Sequence, residues 1–475
     1  MSTNLGQIAQ ELSKTNPWWR KQDWQDGDTD LHAVRAGSLN YRSEALSDLE
    51  PGNLYILRGP RRVGKTVAVK QAIENLMEQG VPGPCIVRVA ADGWDAKDIR
   101  NLPRIPGLPP VPTGHTRYWF IDEISGVKGE WAEEIKWLRD NDTEFKSSTV
   151  VLTGSNARSL SEAIGVLAGR RGTGRGRDKD RTLLPIGFAT FVKLVGDPSI
   201  PTGNQIPLAD LRSGFASNAY QGLIPWLDDL VRLWEMYILY GGFPRSVTAA
   251  AAGAPIPSDF VDDLFDVVSA DAFKASHLGM SAEIALLERL WESMGTPANL
   301  NNVAQTVGTS RATVVRHVEY LRDSFLLWNC PQKDANGWVP FPGSRDKIYA
   351  IDPLIARMAH LRNPARKDID PTILTEMQLG LAIIRKMTKT QGVPVDDFLF
   401  YHRTPTAKEI DFVSDLLMGT AIEGKYCEGA GWKREARTVN SSSWKGLMIT
   451  RNYLDTSSAN AWAVPACFLT LLLDT

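Results

Sequence analysis

Gly59, Gly64, Lys65 and Thr66 stand at the spacing G-x-x-x-x-G-K-[ST] within LRGPRRVGKTVAV (57–69). Glycines at these positions let backbone N–H groups close around phosphate oxygens, and a helix that follows adds its positive end. The cradle would comprise Gly59, Pro60, Arg61, Arg62, Val63, Gly64, Lys65, Thr66 and Val67. Lys65 would reach the β and γ phosphates of a nucleotide, and Thr66 would ligate Mg²⁺. RYWFIDEIS (117–125) supplies two acids at the end of an apolar run. Asp122 would hold Mg²⁺, often through a water, and Glu123 would polarise an attacking water as general base. STVVLTGSN (148–156) repeats the apolar run with a polar tip, where Asn156, Ser155 or Thr153 could sense a γ-phosphate or simply end a strand. The chemistry these residues suit is ATP hydrolysis with Mg²⁺.

Such groups need rigid elements behind them. NLYILR reads as a strand before the loop, and TVAVKQAIENLMEQG as a helix after it, with Val69, Ala72, Ile73 and Leu76 at helical spacing and Gly80 at its end. CIVRVA, RYWFID, STVVLTGS and TLLPIGF are further candidate strands, alternating with helical patterns. That alternation implies an α/β fold, a parallel sheet covered on both faces. The expected organisation is a lead-in over 1–52, a P-loop core over 53–195, a helical lid over 196–295, a winged helix-turn-helix over 296–350 and a mixed α/β domain over 351–475. The lead-in, with NPWWRKQDWQDGDTD, reads as irregular; Trp18 and Trp19 could dock on the core, a neighbour or the nucleotide base.

ANLNNVAQTVGTSRATVVRHVEYLRDSFLL (298–327) reads as two helices joined at Gly308 and Thr309, with Ser310 as N-cap. Val314, Val318 and Leu321 form one apolar stripe on the second helix. Arg311, Thr313, Arg316, His317 and Tyr320 are then expected to face outward, and Arg311, Arg316 and His317 are candidate DNA contacts. Asn336-Gly337 signals a hairpin behind the helices. Such units also serve as protein-packing modules.

FYHRTPTAKEIDFVSDLLMGTAIEGKY (400–426) holds a second constellation. By the period of two, Glu409 and Asp411 share one face of a strand and Glu423 and Lys425 one face of the next. Carboxylates can bind Mg²⁺, and a lysine can orient water for phosphodiester attack. The grouping resembles the PD-(D/E)xK nuclease signature, with Asp411, Glu423 and Lys425 matching and Glu376, on the helix ILTEMQLGLAIIRKM, matching the upstream acid. Cleavage, binding without cleavage and plain surface charge all remain open readings.

GPRRVGKT, YWFIDEIS, VLTGSNA, LAGRRG and LPIGFATFV occur in an order that resembles prokaryotic AAA-type ATPases of the archaeal-ATPase-like group, over about residues 50–430. The resemblance implies a P-loop domain, a helical lid, a winged helix and a C-terminal domain similar to restriction endonucleases. Gly169 and Arg170 match the family's Gly-Arg after the sensor strand, which makes Arg170 a candidate arginine finger or sensor. A finger acting in trans requires a homo-oligomer. The chain departs from the pattern there, because Arg170 and Arg171 open a long Gly/Arg loop, and which arginine acts stays open. Six basic and two acidic residues between 170 and 181 could touch a phosphate backbone or form a solvated loop. YGGFPRSV (240–247) matches a Gly-Gly-aromatic-Pro turn, implying that Gly242 and Pro244 lie near the nucleotide; without the resemblance they are only a turn.

An apolar share of 43% and a charged share of 23% exclude disordered and fibrous classes. A net charge of -2 gives no general basic footprint, so any DNA contact must be local. Four scattered cysteines, without C-x-x-C spacing, argue against zinc or a disulfide framework and fit a reducing cytosol. AWAVPACFLTLLL (461–473) is too short to span a bilayer and should form a core element, and the N-terminus lacks signal-peptide order. A cytoplasmic protein without membrane contact is expected. The leading expectation is an ATPase acting on DNA. An ATP-controlled switch docking a protein partner and an ATP-gated nuclease are the alternatives.

Overall fold

The computed structural model describes residues 5–36, 39, 41–154, 157–174, 176–275, 280–391, 398–404, 408–440 and 442–474. The chain forms two compact units, Met1–Leu184 and Pro185–Thr475.

In the first unit Leu54–Arg58 (β1), Ile86–Ala90 (β2), Tyr118–Asp122 (β3), Thr149–Thr153 (β4) and Asp180–Thr182 (β5) form one sheet. Its order is β2-β3-β4-β1-β5 and every pairing is parallel. Alternate side chains feed two cores. Leu54, Ile56, Trp119 and Ile121 join one with Ile8, Leu12 and Ile135. Tyr55, Leu57, Tyr118 and Phe120 join the other, against Val69 and Ile73 of the helix Lys65–Glu78. A strand with both faces buried must be apolar at every position, which is why these runs read as continuous. The last strand is shorter and earlier than TLLPIGF suggested; Pro185 has no N–H to give a ladder, and the chain leaves the sheet after Thr182.

Within the lead-in, NPWWRKQDWQDGDTD runs mostly in loops and the short 3-10 turns Pro17–Trp19 and Trp24–Gly27, but it is anchored to the core. The helix Leu5–Thr15 runs into Asn16, which is buried beside the edge strand β2. Its Nδ2 donates to the Arg88 carbonyl at 2.9 Å and its Oδ1 accepts from the Arg88 N–H at 2.6 Å. One amide therefore serves both polar groups of an edge residue that would otherwise lack a strand neighbour. Both indole N–H groups, of Trp18 and Trp19, donate to the Ile86 carbonyl, at 2.9 and 2.7 Å. Trp18 also meets Trp24 edge-on at 4.8 Å. Gly83 is required underneath, since a Cβ there would lie 2.2 Å from the Trp18 carbonyl oxygen. Of the three docking places open for these tryptophans, the core is the one taken. Lys70, on the helix after the loop, is tied to Asp28 and Asp30 of the same segment.

The second unit begins with helices, including Leu227–Tyr240 and Ser258–Ala275. The helices Leu300–Val307 and Arg311–Asp323 meet at Gly308, which is left-handed at φ 73°, and Ser310 caps the second by accepting from the Thr313 N–H at 3.1 Å. Leu327–Cys330 (β6) and Lys347–Ala350 (β7) follow as an antiparallel pair. Further along the intervening hairpin, Lys333 and Pro340 bridge antiparallel around Asn336-Gly337. The remaining strands are Phe400–Arg403 (β8), Glu409–Val413 (β9), Thr420–Cys427 (β10), Lys445–Thr450 (β11) and Ala461–Pro465 (β12). They form a sheet in the order β12-β11-β10-β9-β8, with the long helix Pro371–Gln391 packed against it. AWAVPACFLTLLL divides into β12 and a buried helix, Ala466–Leu473. Among the described residues no helix is long and apolar enough to cross a membrane.

Candidate functional site

Register aligns the pieces of the first site. Leu57 of β1 pairs with Thr153 of β4, and Ile121 of β3 pairs with Leu152 of β4, so the loop 59–64, Thr153 and Asp122 follow one another along the carboxyl edge of three adjacent strands. Ligands of parallel sheets bind at that edge. The loop reaches it through residues that few side chains could replace. Gly59 has φ 151°, and a Cβ there would meet the Leu183 carbonyl oxygen at 2.1 Å; Gly64 is left-handed at the helix N-cap. Lys65 is buried and its Nζ donates to the carbonyls of Gly59 and Pro60, each at 2.9 Å, which fixes the ammonium over the loop. Thr66 lies in the first helical turn.

Asp122 is 3% exposed and hydrogen-bonded at both oxygens. Oδ1 accepts from Thr153 Oγ1 at 2.5 Å and Oδ2 from the Arg88 guanidinium at 2.7 Å. Each carboxylate oxygen has a second lone pair, so coordination capacity remains. Glu123 has φ 54° and ψ 38°, the left-handed region that a non-glycine residue rarely enters, and its N–H donates to Thr153 Oγ1 at 3.3 Å. Thr153 thus holds the Asp122 carboxylate and the Glu123 backbone. Arg88 was not singled out from the sequence; an arginine inside an otherwise apolar strand, CIVRVA, is the signal that could have found it. Asn156 and Ser155 lie outside the described residues.

Among its described residues, the Gly/Arg run is tied down at several points. Arg170 Nε donates to both carboxylate oxygens of Asp140, at 2.8 and 2.9 Å. Arg171 is buried, pairs with Asp180 at 3.0 Å and holds the start of β1 through the Leu54 carbonyl. Lys179 is buried, and Arg181 pairs with Asp48. Arg171 is therefore a latch for the sheet, while Arg170 is partly exposed and held by Asp140. A hollow of about 660 Å³ under Pro103–Arg117 shares no residue with the loop or these strand ends.

In the second unit Gly242 lies in the turn before the helix Pro244–Ala251. Its N–H donates to Asp352 Oδ2 and its carbonyl accepts from the Ile186 N–H, both at 2.7 Å. Burial pushes the Asp352 carboxyl up to about 6 although it accepts from the Gly242 and Leu354 N–H groups. On the helix Arg311–Asp323, Arg311 and Arg316 are exposed. His317 is not: it is fully buried, with Nδ1 2.9 Å from the Thr313 carbonyl. Three residues after Val314 and four before Leu321, it falls on the apolar face of the helix, so it is removed from the candidate DNA contacts.

Glu376, Asp411, Glu423 and Lys425 do converge. β9 and β10 pair antiparallel at Phe412 and Ile422, and Gly424 lets the helix carrying Glu376 approach to within 3.5 Å of where a Cβ would be. Lys425 Nζ lies 2.7 Å from Glu423 Oε1. The Gly424 N–H donates to Asp411 Oδ2 at 2.9 Å, and the Asp411 N–H to Glu423 Oε2 at 3.1 Å. No motif or spacing pointed to the group at the centre. Lys347, from β7, is 1% exposed and sets its Nζ 3.0 Å from Glu376, 2.7 Å from Glu409 and 2.9 Å from Asp411. Tyr349 donates to the same Glu376 oxygen. Burial, then Asp411, pushes the Glu376 carboxyl up to about 7 and that of Glu423 up to about 8. Burial opposes the charge on Lys347, yet Asp411 and its neighbours hold the ammonium well above the usual lysine range.

Residues 51–192 match a family model described as an AAA domain, and residues 231–366 one described as a domain of unknown function. An uncharacterized protein of Haemophilus influenzae is 24% identical over 313 residues, covering 63% of this chain and 67% of that one. Among solved structures, a Walker-type ATPase of Pyrococcus abyssi aligns at 12% identity and a TM-score of 0.37, over 65% of this chain and 91% of its own. A RuvB variant of Thermotoga maritima aligns at 15% and 0.26, over 67% and 94%. Cdc6p of Pyrobaculum aerophilum aligns at 12% and 0.23, over 66% and 88%. Residues 51–192 are thus similar to AAA-type P-loop ATPase domains, and the loop, strands and acids described above fall inside that span.

Proposed function

We propose that the chain binds ATP with Mg²⁺, hydrolyses it, and uses the turnover to act on DNA through a winged helix and the C-terminal domain. The observation that carries the ATPase reading is the shared anchoring of Asp122 and Glu123 by Thr153, at a strand edge next to the phosphate loop. The loop N–H groups and Lys65 would take the phosphates. Thr66 and Asp122 would hold Mg²⁺, which when bound offsets phosphate charge. Glu123, held by its left-handed backbone beside Asp122, would accept the proton of the attacking water. Arg170, from a second copy in a homo-oligomer, would reach the γ-phosphate.

The DNA reading rests on the exposed Arg311 and Arg316 near the N-terminus and middle of the second helix, the geometry by which such helices meet a groove. Steady-state ATP hydrolysis with and without duplex, single-stranded and branched DNA tests it, with Lys65→Ala and Glu123→Gln as controls. Stimulation by one DNA form, absent in both variants, is the expected result. Hydrolysis unmoved by every DNA form refutes the DNA role.

One observation favours docking of a protein partner instead. The hairpin between β6 and β7 exposes Trp338, Val339 and Phe341 at 36%, 55% and 45%. Exposed apolar groups of this size on one hairpin suit a protein surface better than a phosphate backbone. DNA-indifferent turnover with partner-dependent stimulation would select that reading.

A further inference from the structure

The residues matching a PD-(D/E)xK nuclease should, if they cleave, gather a divalent cation between Glu376, Asp411 and Glu423. They do not fit that role here, because the place among the carboxylates is taken by a side chain of the protein itself. A lysine ammonium has three N–H donors. Lys347 directs its Nζ at three acceptors, Glu376 Oε1, Glu409 Oε1 and Asp411 Oδ1, at 3.0, 2.7 and 2.9 Å. The other oxygen of Asp411 accepts from the Gly424 N–H, and the oxygens of Glu423 meet Lys425 and the Asp411 N–H, so a second ammonium also stands against this cluster. A metal ion bound to these carboxylates would sit within a few ångströms of a buried ammonium, a strongly repulsive arrangement at low dielectric. Among the described residues no group of three or more His, Cys, Asp or Glu is arranged to hold a metal ion.

We propose that Lys347 is the resident cation of the C-terminal acidic cluster, that the cluster binds no divalent metal while Lys347 occupies it, and that the chain does not cleave phosphodiesters there. The lysine comes from β7, the strand that follows the helix-turn-helix, and its partners come from β9 and the helix Pro371–Gln391. The cluster is therefore an internal tie that fixes the β6–β7 pair to the C-terminal sheet. Tyr349, two residues along the same strand, reinforces it by donating to Glu376. The inference does not depend on the ATPase reading.

The test is Mn²⁺ binding to the nucleotide-free full chain, followed by electron paramagnetic resonance, together with nicking of supercoiled plasmid in Mg²⁺ or Mn²⁺. Wild type and Asp411→Asn should bind Mn²⁺ equally and nick nothing. Lys347→Met should gain one Mn²⁺ bound at least about tenfold more tightly than any in wild type, since oppositely charged ligands without their cation favour a replacement. That gain should vanish in Lys347→Met with Asp411→Asn. Glu409→Gln, at the rim of the cluster, is the milder partner to Asp411→Asn if that variant fails to fold. The comparison with wild type needs no change at Lys347. Mn²⁺ bound by wild type and lost in Asp411→Asn or Glu409→Gln would overturn the proposal, as would plasmid nicking abolished by Glu423→Ala. A folded Lys347→Met that gains no ion would overturn it too.

Discussion

The guanidinium of Arg88 lies 2.7 Å from Asp122 Oδ2, and the backbone of the same arginine is clamped on both sides by the amide of Asn16. The N-terminal segment thus sets the strand residue that sets the acid. A partner that orients a ligating carboxylate is worth about 10–100-fold in metal affinity or activity. Arg88→Ala should therefore lower ATP turnover by that factor and raise the Mg²⁺ concentration needed, while ATP binding without metal stays within a few-fold of wild type. Wild-type turnover across a Mg²⁺ titration would refute the positioning role.

Thr153 ties the Asp122 carboxylate and the Glu123 backbone N–H with one hydroxyl. Thr153→Val keeps the shape of the side chain and removes both hydrogen bonds, so turnover should fall about tenfold or more, as one lost hydrogen bond to a charged group costs roughly 1.5–3 kcal/mol. Thr153→Ser keeps the hydroxyl and should retain most of the rate. A serine variant as slow as the valine one would show that the methyl group, rather than the hydroxyl, matters.

Trp18 is 4% exposed, packs on Trp24 and donates to an edge carbonyl. Truncation of such a buried aromatic costs about 3–5 kcal/mol. Trp18→Ala should lower the melting temperature and expose the β2 amides to hydrogen exchange. Unchanged protection of Val87 and Val89 would mean that the lead-in does not hold the edge.

Arg311 and Arg316 should act on affinity and His317 on stability. Each arginine changed to alanine should weaken DNA binding and reduce the salt slope by about 1, as for one phosphate contact. His317→Ala should instead lower the melting temperature, because the ring is buried beside Val318. Equal effects of all three on the salt slope would return His317 to the surface.

The acidic cluster carries a pH signature. Glu423 is raised from 4.5 to about 8 and Glu376 to about 7 in the fold. Between the unfolded and folded values the folded state binds more protons than the unfolded chain, so its stability declines as pH rises through that window. Melting of the full chain should show the second unit losing stability from about pH 5 to 8, and Glu423→Gln, which mimics the protonated acid, should flatten the decline. A slope unchanged in Glu423→Gln would assign it elsewhere.

The phosphate loop, the apolar strands and the two acids were legible in the sequence because each is local. A loop motif is set by a run of neighbouring residues, a strand buried on both faces must be apolar throughout, and period two tells which residues of β9 and β10 share a face. The same locality explains the misreadings. A helical stripe leaves a residue such as His317 ambiguous, since one position along the helix turns a side chain by about 100°, and only packing decides whether it is covered. For the Gly/Arg run a solvated loop and a phosphate contact both stayed open, because Asp140 and Asp48, which meet Arg170 and Arg181, lie far from them in sequence. Asn16 and Arg88 are 72 residues apart, and Lys347 and Asp411 are 64 apart. No period or spacing connects such pairs. Residue order by itself determined what each element is made of and which chemistry its tips can offer. Tertiary structure alone decided which charges meet, because burial far along the chain brings an ammonium to three carboxylates and a guanidinium to one.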